Sequence, residues 1–98
     1  MAIQSFANRG TADVAHGINS KAARSILPVI LHANAREKLL FLDAATALDD
    51  LLAWPSLRLE KLKGDRSGQI SIRINDQYRI CFVWHGNNAI NVGIVDYH

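Results

Sequence analysis

The sequence predicts an α+β domain, with two or three N-terminal helices packed on a mostly antiparallel sheet. Two observations carry this. Apolar residues recur at spacings of three and four in the first half of the chain, and at a spacing of two after residue 68. Helices followed by strands, rather than alternating with them, lead to helices gathered on one face of a sheet. With 98 residues and 49% apolar composition, the chain is expected to form one domain spanning 1–98, with a core of its own.

The elements follow in order. "IQSFA" alternates apolar and polar residues and reads as a short first strand. "TADVAHGINSKAAR" is polar and interrupted by Gly17; a short helix is expected around 12–16, and residues 17–27 are expected to be mobile. "LPVILHANAREKLLFLDAA" is the main helix, over 28–45. Pro28 suits a first helical turn, where its missing N–H costs nothing. Leu31, Ala35, Leu39, Leu42 and Ala45 make its buried face. "TALDDLLAWP" is a second short helix, with Thr46 and Asp49 as a capping pair and Pro55 as its end.

Three strands come next. "GQISIRI" places Ile70, Ile72 and Ile74 on one face and Arg73 on the other. "YRICFVW" places Tyr78, Ile80, Phe82 and Trp84 on one face and Arg79 and Cys81 on the other. "AINVGIV" places Ile90, Val92 and Ile94 together. The short connections "NDQ" and "HGNN" make the three an antiparallel meander.

Charge is unevenly placed. Residues 1–57 hold five basic and five acidic groups, and residues 58–79 hold six basic against three acidic. A basic zone on a chain of net charge +2 is a place for an anion, or a solvated surface. The hairpin register sharpens the first reading. If Ile74 sits across from Tyr78, Arg73 faces Arg79, and like charges directly opposite destabilise a sheet. Either a phosphate completes the pair, since Arg binds phosphate in a bidentate fork, or the two guanidiniums splay to water or to carboxylates.

The end of the chain, "IVDYH", poses a similar choice. Asp96, Tyr97 and His98 are either a frayed end or part of a site. Other conspicuous residues have plainer readings. His16 and His32 are surface groups, His85 lies in a turn, and Cys81 is a small packed residue. Trp54 and Trp84 serve the core or a partner. No His/Cys/Asp/Glu spacing indicates a metal site, and one cysteine excludes an internal disulfide. No signal peptide is expected, and no apolar run approaches the ~20 residues of a membrane span. The expected location is cytoplasmic.

"RLEKLKGDRSGQISIRINDQYRICFVW" together with the final "DYH" resembles the HigB-type (host-inhibition-of-growth) toxins of the RelE/ParE superfamily, which belong to bacterial type II toxin–antitoxin systems. The resemblance is strongest over 58–98 and looser over "LDAATALDDL"; residues 7–27 are not covered by it. It implies a RelE-like microbial-ribonuclease fold and ribosome-dependent cleavage of mRNA without a metal or other cofactor. It also implies neutralisation by a helix-turn-helix antitoxin of HigA type, with operator DNA bound only through that antitoxin. Site positions implied by the resemblance are Asp96, Tyr97 and His98 with Arg73 and Arg79. Lys61, Lys63 and Arg66 match an RNA-facing loop. Some members carry a histidine where this chain has Glu60, so Glu60 stands as a second possible base.

The chemistry such a site needs is a base for the 2′-OH, positive charge at the phosphate and an acid for the leaving 5′ oxygen. An unperturbed imidazole exchanges a proton near neutral pH, which suits His98 to the proton transfers; Asp96 could orient it, Tyr97 could hold a base or the 2′-OH, and the arginines would bear the phosphate charge. A regular final strand would put Asp96 and His98 on the face opposite Arg73 and Arg79, so an irregular terminus near Val95 is expected. Two rival readings remain on sequence alone: a gyrase inhibitor, as in the ParE branch, and a non-catalytic RNA- or protein-binding module on the same fold.

Overall fold

A computed structural model describes residues 1–96. Four α-helices, α1 (Arg9–Ala15), α2 (Lys21–Ile26), α3 (His32–Ala44) and α4 (Leu48–Leu52), precede four strands, β1 (Glu60–Lys61), β2 (Ile70–Arg73), β3 (Tyr78–His85) and β4 (Asn88–Asp96). The strands form one sheet in the order β1-β2-β3-β4, and every neighbouring pair is antiparallel. The α+β class therefore holds, with β1 a strand that the sequence pattern did not indicate. β1 is only two residues long, too short to show any alternation.

The first strand expected in "IQSFA" takes another form. Ile3 and Phe6 make isolated parallel bridges to Ala89 and Val92. At Phe6, Val92 N–H donates to Ser5 O at 3.0 Å and Ala7 N–H donates to Val92 O at 2.8 Å. On its other side the segment is tied to α3, where Ala2 and Ile3 direct their N–H groups to Asp43 at 2.8 and 3.1 Å.

The segment expected to be mobile contains α2. Asn8 caps α1 through Thr11 N–H at 2.8 Å, which starts that helix at Arg9 rather than near residue 12. Ser20 caps α2 by accepting from Ala23 N–H at 3.0 Å, and its hydroxyl donates to Asp13 of α1 at 2.6 Å. Ala23 and Leu27 are completely buried. A helix this short has almost no stability alone; packing against α1 supplies what composition does not show.

The long helix is preceded by a 3-10 turn over Val29–Leu31, and Pro28 caps that turn from outside. His32, expected as a surface group, is half-buried, with its Nε2 at 2.8 Å from Leu27 O. Ala35, Leu39, Leu42 and Ala45 are buried as the spacing required. At α4 the capping acid is Asp50, not Asp49. Its carboxylate accepts from Thr46 N–H and Oγ1 and from Ala47 N–H at 2.8, 2.9 and 3.1 Å.

The core lies between α3 and one face of the sheet, where Ile72, Ile80, Phe82, Val92 and Ile94 meet Ala35, Leu39 and Leu42, with Leu27, Leu51 and Leu57 closing its edges. Ile90 is not among them, and Ala89 is. β3 pairs Cys81 with Gly93 but Val83 with Ile90, so one extra residue sits in β4 between these pairs. Asn91 occupies this bulge in the left-handed region, at φ 54°. An inserted residue reverses the alternation, which exchanges Ile90 for Ala89 on the inner face. The Asn91 N–H, displaced from the ladder, donates to Ser5 Oγ at 2.9 Å.

Candidate functional site

The site candidates separate by sheet face. Register puts Glu60 opposite Ser71 and Ser71 opposite Cys81, while Arg73 stands opposite Arg79 as the hairpin reading required. Side chains alternate along a strand, so Glu60, Ser71, Arg73, Arg79 and Cys81 all lie on the face away from α3.

Each arginine has a carboxylate. Arg73 Nη2 bonds Asp76 Oδ1 in the β2–β3 turn. Arg79 Nη1 lies 3.9 Å from Glu60 Oε1 and donates to Ser71 Oγ at 3.2 Å and to Arg58 O at 3.3 Å. Of the two ways to relieve a facing pair of like charges, carboxylates are the one present in the free chain. An entering phosphate would have to compete with them.

Arg58 contributes through its backbone. It ends the 3-10 turn Pro55–Leu57 in the left-handed conformation, φ 45° and ψ 53°, which aims its carbonyl at Arg79. Neither Arg58 O nor Ser71 was singled out from the sequence. Ser71 had a legible signal, a small polar residue between two isoleucines on the face of Arg73. The carbonyl had none.

Asp96 takes a different position. β4 continues in register to its end, with Val95 opposite Arg79 and Asp96 opposite Tyr78. The irregularity expected near Val95 is instead at Asn91, because the extra residue is accommodated where the N-terminal segment joins β4. Asp96 therefore shares the Tyr78 face rather than the arginine face. It accepts from Gln77 Nε2 at 3.1 Å and borders a cleft with Tyr78, Arg24 and Pro28. Tyr97 and His98 lie outside the described residues.

The basic loop is exposed at Lys61, Lys63 and Arg66. Arg66 donates to Gln69 at 3.1 Å, and its charge reaches Cys81. Burial raises the Cys81 thiol above its ordinary pKa, and the Arg66 and Arg79 charges oppose that rise. Cys81 is a buried free thiol, as expected of a packed small residue. Trp84 packs edge-on to Phe82 in the sheet, whereas Trp54 stacks on Phe41 and stays half exposed. Among the described residues no group of three or more His, Cys, Asp or Glu could hold a metal ion, and no helix is long and apolar enough to cross a membrane.

Sequence comparison adds what geometry alone does not. The family model described as "RelE-like toxin of type II toxin-antitoxin system HigB" matches residues 17–98. The chain belongs to the HigB-like toxin family. It is also 41% identical over 66 residues to "Toxin HigB-1" of Vibrio cholerae serotype O1, covering 67% of this chain and 70% of that one. This HigB-like chain is thus the toxin component of a type II toxin–antitoxin system, and such a toxin implies an antitoxin partner. The match begins at Gly17, after α1, so the N-terminal segment that pairs with β4 and the cap on α1 lie outside the part that defines the family.

Proposed function

We propose that this toxin is an endoribonuclease that cuts mRNA on translating ribosomes and is held inactive by a helix-turn-helix antitoxin of HigA type. The observation that carries the reading is the Arg73–Arg79 pair with Glu60 beside it, on the sheet face away from α3, in a chain of the HigB-like family. The two guanidiniums bear the charge of the scissile phosphate, which is where electrostatic stabilisation matters most. Glu60 takes the proton of the attacking 2′-OH, and His98 returns one to the leaving 5′ oxygen. Tyr97 orients the substrate. Lys61, Lys63 and Arg66 track the RNA backbone, where contacts give affinity without sequence choice. Asp76 and Glu60 occupy the arginines until a phosphate displaces them.

The test is purified toxin added to translating ribosomes, with cleavage sites mapped on the transcript. The expected result is cuts within the reading frame, poor cutting of naked RNA, and loss of cutting in His98→Gln. Glutamine can hydrogen-bond but cannot carry a proton near neutral pH. Intact transcripts with broken chromosomal DNA on induction would favour gyrase as the target instead.

A further inference from the structure

We propose that Ser71 is a positioning residue for Arg79, acting with the Arg58 carbonyl as a clamp that fixes one guanidinium of the facing pair. The inference rests on the ribonuclease reading for its consequence, though not for its geometry. Two arginines directly across a sheet repel, and without restraint both heads would leave the face they share. Arg73 leaves toward the exposed turn acid Asp76, and its own side chain is 30% exposed. Arg79 is drawn inward and is 18% exposed. Its Nη1 meets Ser71 Oγ, Arg58 O and Glu60 Oε1, which come from β2, the turn before β1, and β1. The clamp thus holds one corner of a five-donor planar fork and sets the plane of the whole group.

Two further features support it. Ser71 is 0% exposed between Ile70 and Ile72, in a sheet position where an apolar side chain would be the simpler occupant. Arg58 holds a left-handed backbone, a conformation that non-glycine residues adopt at a cost and that gathers at functional positions. Both features have the same outcome, an oxygen aimed at Arg79. Donors fixed in advance stabilise developing charge better than donors that must reorganise.

The experiment compares wild type, Ser71→Ala, Arg79→Ala and the double variant in the ribosome cleavage assay, with guanidinium NMR of Arg79 alongside. Ser71→Ala should lower kcat by about three- to tenfold and leave KM within about twofold. In the Arg79→Ala background the same change should add less than about twofold, since the serine acts through the arginine. The Arg79 guanidinium signals, distinct in wild type, should broaden or average in Ser71→Ala. Ser71→Cys, with its bulk kept and its acceptor weakened, takes the place of the alanine variant if that one does not fold. Wild-type kcat in the serine variant, or an equal loss in both backgrounds, overturns the clamp. If the wild-type protein cuts no RNA, the ribonuclease reading fails, and unchanged Arg79 signals in Ser71→Ala would overturn the clamp separately.

Discussion

Arg73 and Arg79 stand directly opposite each other in the β2–β3 register but are held unequally. Arg73 bonds one exposed turn acid, whereas Arg79 bonds a buried hydroxyl and a backbone carbonyl and pairs with Glu60. Removing them should therefore separate function from stability. Arg79→Ala strips a buried oxygen of its donor and should cost about 1–2 kcal/mol. Arg73→Ala should change stability by no more than about 0.5 kcal/mol, with a gain as reasonable as a loss because a like-charge contact goes. Both should cut RNA more slowly. Urea unfolding of the two variants checks the difference; equal costs would mean that the contacts of Arg79 contribute nothing to the fold.

Ser20 is the residue on which α2 depends. Ser20→Ala removes both the cap on Ala23 N–H and the bond to Asp13, and should cost about 1–2 kcal/mol. Amide exchange of residues 23–27 should be slow in the isolated wild type and faster in the variant. Fast exchange throughout 17–27 of the wild type would restore the mobile-loop expectation.

Gly10 permits the close approach of α1 to α2. A Cβ there would sit 2.6 Å from Ala22 O, a backbone atom that cannot rotate away. Gly10→Ala should destabilise by about 1–3 kcal/mol despite alanine's higher helix propensity. Thermal unfolding reads this directly, and a wild-type midpoint would show that the two helices separate easily.

Asp50 makes α4 sensitive to acid. Bonds from the Thr46 backbone and hydroxyl and from the Ala47 backbone lower its pKa below the ordinary carboxylate value. The folded-state pKa lies under the unfolded one, so its stabilisation is complete above about pH 4 and declines as pH falls through the folded value. Asp50→Ala should lower the thermal midpoint at neutral pH, and the gap from wild type should close in stronger acid. A gap independent of pH would assign the effect to something other than this carboxylate.

Cys81 should resist alkylation. Burial both hides the thiol and disfavours the thiolate that reacts, an effect that nearby Arg66 and Arg79 only oppose. Iodoacetamide at neutral pH should label the native protein far more slowly than the urea-unfolded chain. Equal rates would show that the outer sheet face opens readily.

By itself the sequence determined what repeats along the chain. Isoleucines at every second position defined β2 and its inner face, and leucines and alanines at three and four residues defined the buried side of α3, because strand and helix have periods of about 2 and 3.6 residues. The short turn after Ile74 was enough to place Arg73 opposite Arg79. Tertiary structure decided what has no period. The two residues of β1 and the six of α2 are too short to show one, and they form only because β2 and α1 are there to receive them. The bulge at Asn91 moved Ala89 inward in place of Ile90, and register to the end of β4 put Asp96 opposite Tyr78 rather than on the arginine face. Glu60 came within 3.9 Å of Arg79 through the same kind of non-local pairing. A sequence motif lists the groups available to a site, but which sheet face each group occupies depends on register, and a single inserted residue can reverse it.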